Sequence, residues 1–313
     1  MRIKFWGTRG SIPVAEPEMM KYGGNTACVE VRLYSGDILI FDAGTGIRRL
    51  GIDLLNDPSF NKKGHILISH CHWDHIQGFP FFTPAFMPEY SWTIYGQFKL
   101  DGRLEDLLRW QMEHLYFPVT LDQMGATMKF VEIIEEDFHI GSAKITARHL
   151  HHPQGNMGFR VEDRDGIFVY CTDTEHYSNG LDPKLMELAH NADVLVYDGQ
   201  YTEEEYRTHI GWGHSTWQAG VEIAKAANVK KLLLFHHDPN HNDEQIDRII
   251  GEARQIFPET YGVERDMTLQ IDEFSKMSCD HKSLDDIKDR ISFDDRSLDR
   301  KSTRLNSSHV SQS

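Results

Sequence analysis

The chain has 313 residues, 40% hydrophobic and 26% charged, with 33 basic against 48 acidic side chains and a formal charge of −15. That composition excludes a fibrous or largely disordered protein, and the acidic balance argues against unspecific wrapping of nucleic acid, which runs on clustered Lys and Arg. Cys28, Cys71, Cys171 and Cys279 form no C-x-x-C pair, the start lacks a secretory apolar run, and nothing reaches the roughly 18 apolar residues of a membrane span. The expectation is a cytoplasmic protein with a small-molecule partner, no membrane and no extended nucleic acid; a homodimer stays open.

From Met1 to about Asp272, short β-rich runs alternate with helical stretches, the pattern of a layered α/β domain. Strands are predicted at Arg2–Trp6, Ala27–Leu33, Asp37–Phe41, His65–Ser69, Ala143–Arg148, Gly158–Glu162, Gly166–Cys171, Val194–Tyr197 and Leu232–Phe235. Helices are predicted over Arg103–Glu113, Pro183–Asn191, Thr216–Ala227 and Asp243–Ile256, the last two with Ser215 and Asn242 as N-cap residues. Gln97–Met128 is amphipathic and carries Trp110, Tyr116 and Phe117, which either pack into a core or line a pocket. Beyond Asp272 the apolar periodicity thins and acidic and basic residues balance, eight of each, so the negative charge belongs to residues 1–272. Residues 273–298 read as a truncated polar extension with a short surface helix at Lys282–Arg290, and 299–313 look like translated sequencing adapter, set aside from the fold.

The chain has 18 histidines, and they bunch where strand predictions end. Directly after His65–Ser69 comes His70-Cys71-His72-Trp73-Asp74-His75, an H-x-H-x-D-H cluster. Alternation places His70 and His72 on one side of an extended segment, while Asp74 and His75 turn to the other. Imidazoles and a carboxylate so arranged can surround two cations.

This cluster resembles the signature of the metallo-β-lactamase-fold hydrolases, and its continuation through Ile76-Gln77-Gly78-Phe79-Pro80 resembles the branch of RNase Z and related phosphodiesterases. Phe5-Trp6-Gly7-Thr8-Arg9-Gly10-Ser11-Ile12-Pro13, Gly24-Asn25-Thr26 and Phe41-Asp42-Ala43-Gly44 are similar to further landmarks of that branch, in the same order. The resemblance spans Met1 to about Asp272 and implies a four-layer αββα metallo-β-lactamase sandwich. It implies two divalent metal ions, Zn2+ foremost, with Mn2+ or Fe compatible with the same donors. One ion would take His70, His72 and His152, with His149 and His151 as alternatives to His152; the other would take Asp74, His75 and His236, the last preferred over His237. Asp173, in Tyr170-Cys171-Thr172-Asp173-Thr174, would bridge them. Asp42 is either a partner that fixes a ligand imidazole or a turn residue.

Two motifs concern protons. Gly213-His214-Ser215-Thr216 resembles the family's G-H-S-T element, and Asp198, in Tyr197-Asp198-Gly199-Gln200-Tyr201, falls where RNase Z carries the Glu of H-E-A-T. A carboxylate bonded to His214 would favour the imidazolium that protonates a leaving oxygen. The expected reaction is hydrolysis of a small or cyclic phosphodiester by a metal-bridging hydroxide, with Asp74, His214 and Asp198 as catalytic residues. The alternatives are lactone or thioester hydrolysis on the same metals, and tRNA 3′-end cleavage; RNase Z holds tRNA with a protruding basic, glycine-rich arm, and no comparable segment occurs here.

Overall fold

The computed structural model describes residues 1–100 and 102–272. The extension 273–298, with its expected helix at Lys282–Arg290, and the segment 299–313 lie outside the described residues.

Strands β1 (Arg2–Gly7), β2 (Cys28–Arg32), β3 (Ile38–Phe41), β4 (Lys63–Leu67), β5 (Ser91–Gln97) and β6 (Thr127–Ile133) build a first sheet. Strands β7 (Glu136–Ile140), β8 (Ala143–Leu150), β9 (Asn156–Asp163), β10 (Gly166–Cys171), β11 (Val194–Asp198), β12 (Lys231–Phe235) and β13 (Thr260–Gly262) build the second in sequential order. Strand β14 (Thr268–Gln270) returns to the first sheet beside β1. Helices α1 (Ile47–Leu55), α2 (Trp73–Ile76), α3 (Leu104–Gln111), α4 (Pro183–Ala189), α5 (Glu203–Tyr206), α6 (Trp217–Ala226) and α7 (Asp243–Ile256) occupy the connections.

Strand periodicity decides the layering. Leu39, Phe41 and Leu67 of the first sheet meet Phe159, Phe168, Tyr170, Val196 and Phe235 of the second in one buried cluster between the sheets. Their sequence neighbours Ile38, Ile40, Ile66 and Ile68 face the other way, packing with Leu50 and Leu54 of α1 and Leu104 and Leu108 of α3. Val169, Leu195, Tyr197, Leu232 and Leu234 likewise turn outward onto Leu185, Val221, Ile246 and Ile250 of α4, α6 and α7. Both faces of each sheet are therefore covered, which makes the expected four-layer αββα sandwich.

All nine expected strands form, and β5, β6, β7, β13 and β14 are added to them. Two expectations change. The cap of α6 is Thr216, whose Oγ1 accepts from Ala219 N at 3.3 Å, because Ser215 is buried and engages Tyr197 and His176 instead. Asn242 does cap α7, through a reciprocal capping box with Gln245. In Gln97–Met128 the core face is Leu104, Leu108 and Met112; Trp110 and Tyr116 are exposed, and Phe117 packs edge-on against Phe81 at 5.4 Å between ring centroids.

Candidate metal centre

The site residues follow strand ends. His70–His75 follow β4, His152 follows β8, Asp173 follows β10, Asp198 ends β11 and His236 follows β12. β10, β11 and β12 run parallel, so their ends emerge on one side, in the crevice where open sheets present functional groups. Ser11, Asp42, Asp173 and His236 all hold positive φ (61°, 61°, 50° and 60°), a conformation non-glycine residues adopt only when the surroundings enforce it. Gly10 allows the N-terminal loop to approach: a Cβ there would lie 2.4 Å from His236 Nδ1.

Two donor groups converge, each with its ligand-type atoms within 4.8 Å of one another: His70, His72 and His152 in one, Asp74, His75, Asp173 and His236 in the other. Within the second, His236 Nε2 is 3.0 Å from Asp74 Oδ2 and 3.3 Å from Asp173 Oδ1, and His75 Nε2 is 3.2 Å from each of the two carboxylates. Asp173 Oδ2 also approaches His70 Nε2 to 3.6 Å and thus lies between the groups.

The donors suit divalent cations. Burial drives the His70, His72 and His152 imidazoles down from their ordinary pKa, His152 to about 4, so all three are neutral with lone pairs to give. Among the described residues, His70 Nε2 and both ring nitrogens of His152 are buried without a hydrogen-bond partner, an arrangement native cores avoid. Burial opposes ionisation of Asp74 and Asp173, yet the imidazoles of His75 and His236 hold both carboxyls well below the usual range. Burial also opposes charge on His75, but Asp173, Asp74 and Asp42 raise its pKa well above the ordinary value, the mark of a strongly negative potential.

Supporting bonds orient these rings. His75 Nδ1 donates to Asp42 Oδ2 at 2.8 Å, and the same carboxylate accepts from Ser69 N, Ser69 Oγ and Tyr170 Oη. Asp42 therefore fills both roles left open for it, partner of an imidazole and positive-φ turn residue. His214 Nδ1 is 2.9 Å from Asp198 Oδ2; burial works against its imidazolium, but Asp198, together with the charges of Asp173 and Asp74, outweighs burial and lifts the pKa to about 9. The alternatives point elsewhere. His149 Nδ1 meets Gln97, His151 Nδ1 donates to the Glu175 carbonyl, and His237 Nε2 donates to the Val263 carbonyl.

Residues 38–237 match the family described as Beta-lactamase superfamily domain. The chain belongs to that superfamily. Ribonuclease Z of Trichodesmium erythraeum is 25% identical over 83% of this chain and 92% of its own. The human short-form tRNase Z structure superposes with a TM-score of 0.62 at 20% identity, covering 87% of this chain and 99% of its own. A diphosphatase of the PhnP family gives a TM-score of 0.64 at 18% identity, with 86% and 97% covered. The chain sides with the RNase Z- and phosphodiesterase-like branch of the superfamily, and it is a metal-dependent hydrolase. No helix among the described residues is long and apolar enough to cross a membrane.

Three contributors to this candidate site have little or no sequence signal. Ser11 N donates to Asp74 Oδ2 at 2.8 Å, a backbone contact any residue could make. Gln200 Oε1 accepts from His236 Nδ1 at 2.8 Å, and its position two residues past Asp198 is the only hint of it. Glu175, buried two residues beyond Asp173, binds the loop that precedes His214.

Proposed function

We propose that the chain hydrolyses a small or cyclic phosphodiester with two divalent cations, Zn2+ foremost. The reading is carried by the two adjacent donor groups with the Asp198–His214 pair beside them. His70, His72 and His152 would hold one cation, Asp74, His75 and His236 the second, and Asp173 both. Cations so held polarise a phosphoryl oxygen and make water a competent nucleophile near neutral pH. Asp42 and Gln200 take the Nδ1 protons of His75 and His236, which leaves Nε2 of each ring as the donor atom. Asp198 takes Nδ1 of His214, which leaves Nε2 as the nitrogen able to pass a proton to a departing alkoxide.

Electrostatics favour a small substrate over tRNA. Helix α5 sets Glu203, Glu204 and Glu205 shortly before His214, and segment Gln97–Met128 pairs its Arg109 with Glu105 and Asp122 instead of offering it to phosphates. A polyanion gains affinity mainly from free basic side chains, and the whole chain carries −15. Exposed rings flank the site: Trp73 stands between His72 and Asp74, Trp212 lies two residues before His214, and Tyr177 stacks on His151 at 4.5 Å. Such faces suit a planar group such as a nucleobase.

Metal-loaded protein is expected to turn over bis(p-nitrophenyl) phosphate and at least one cyclic nucleotide, and Asp74→Ala to abolish both. Inertness toward every diester alongside turnover of a lactone would overturn the assignment, and a tRNA precursor cleaved with higher kcat/KM than any small diester would move it to RNA.

A further inference from the structure

We infer that Glu175 is a positioning residue for His214, a role that rests on reading His214 as the proton donor. The residue is 5% exposed, yet none of its side-chain hydrogen bonds is to a lysine or arginine. Its Oε1 accepts from Tyr206 Oη at 2.7 Å and from Gly211 N at 2.7 Å, and its Oε2 accepts from Gly213 N at 2.9 Å. A buried carboxylate held by neutral donors is costly as a mere packing element, since less polar residues would fill the same space.

The carboxylate fixes the loop that leads into His214. Gly211 and Gly213 sit at φ of 86° and 89°, in the left-handed region, with their N–H groups turned onto Glu175. Gly213 is pressed against the candidate ligand His152: a Cβ at Gly213 would lie 2.4 Å from His152 Cδ2. His214 follows at once, its Nδ1 on Asp198. The main chain of Glu175 closes the arrangement, because its N–H donates to the His151 carbonyl at 2.7 Å and its own carbonyl accepts from His151 Nδ1 at 2.8 Å. One residue therefore ties together the turns bearing His152 and Asp173 and the loop bearing His214. Displacements of about 1 Å in a reacting group cost orders of magnitude in rate, so such a tie sets how well His214 reaches the leaving oxygen.

The variant is Glu175→Gln, which keeps the shape but sets an amide N–H against one of the glycine N–H groups. Hydrogen exchange is followed in wild type and variant, with and without Zn2+, at equal cation stoichiometry. The amides of Gly211 and Gly213 are expected to exchange about tenfold or more faster in the variant, with strand amides unchanged. In parallel, turnover is compared across diesters with p-nitrophenol, phenol and alkanol leaving groups. Glu175→Gln and His214→Ala should share a loss that grows as the leaving group becomes more basic, by about tenfold or more from p-nitrophenol to phenol. Tyr206→Phe, which removes a single bond to Oε1, should fall between wild type and Glu175→Gln and serves if the latter does not fold. Unchanged exchange at Gly211 and Gly213, or a loss equal for all leaving groups, overturns the role. Wild type inert toward every diester sinks the phosphodiesterase reading instead, while the exchange result still decides whether the tie exists.

Discussion

Asp42→Asn isolates the contribution of a single carboxylate to cation affinity. Asparagine tolerates the positive φ of 61° at this position, so the turn should survive. Oδ1 takes the Ser69 N–H at 2.7 Å, and Oδ2 takes three donors: Ser69 Oγ at 2.9 Å, His75 Nδ1 at 2.8 Å and Tyr170 Oη at 2.8 Å. In the variant the amide oxygen keeps the Ser69 backbone bond, and the NH2 group replaces Oδ2. The two hydroxyls can rotate to accept from it. The His75 Nδ1–H cannot, so the ring must turn away or move its proton to Nε2, the atom that faces Asp74, Asp173 and His236. Loss of such a supporting partner typically lowers metal affinity 10- to 100-fold, about 1.4–2.7 kcal/mol. Competition titration of Zn2+ against a chromophoric chelator measures this directly, with circular dichroism to verify folding. Tyr170→Phe is the control, since it removes a different bond to Oδ2 and should leave affinity within about twofold of wild type. A folded Asp42→Asn protein with wild-type affinity would refute the argument and show that packing alone orients His75.

Two further outcomes concern stability. His237 is fully buried and pushed down to about 3, chiefly by burial and then by the Arg9 charge, so the unfolded chain binds a proton below pH 6.5 that the folded chain refuses. Stability from this residue is complete above about pH 6.5 and falls with decreasing pH, by about 2 kcal/mol between pH 6.5 and 5; urea unfolding of chelator-treated wild type and His237→Gln should differ in pH slope by about one proton, and identical slopes would contradict it. Arg9 is fully buried and donates to the carbonyls of Gly23, Asp238, His241 and Met19, joining the N-terminal loop to the segment after His236. Arg9→Met should cost about 3 kcal/mol in urea unfolding and expose the amides of residues 238–242 to exchange, whereas a loss under about 1 kcal/mol would show that water satisfies those carbonyls as well.

The four-layer arrangement was legible only through the family resemblance, because Ile38, Leu39, Ile40 and Phe41 are all apolar and such a run signals a strand covered on both faces without saying by what. Helix α1 was not, although Ile47, Leu50 and Leu54 have helical spacing: its N-cap is Gly46 with no side-chain bond, and Gly51 interrupts it, so the usual start signal is missing. Strand β7, Glu-Asp-Phe-His-Ile, sits at a sheet edge with polar residues exposed and reads as a loop. At the site, the H-x-H-x-D-H run announces itself because its donors are contiguous. His152, Asp173 and His236 are far apart in sequence, and only their order in a known family pointed to them. Glu175 and the Ser11 amide leave no trace in one dimension, and Gln200 leaves only its nearness to Asp198, since all three act through backbone groups and partners that only folding brings within reach.

The placement of charge links the sandwich to its site. Asp42 follows β3 and Asp74 lies in α2, both in connections of the first sheet, Asp173 and Asp198 come from the ends of strands in the second, and all four are buried. Bringing the sheets together therefore concentrates negative charge where water is scarce, and His75 and His214 answer it with raised affinity for protons. Divalent cations would answer the same charge more strongly, through candidate donors that neither sheet assembles alone: His75 Nε2 comes within 3.3 Å of His236 Nε2 only when the sheets are packed. Ligands that bind the folded state alone stabilise it by mass action, so cation capture and sheet packing must reinforce each other. Substitutions between the sheets at Phe41 are accordingly expected to act on the candidate metal centre as well as on the core, since Phe41 directly precedes Asp42 in the chain.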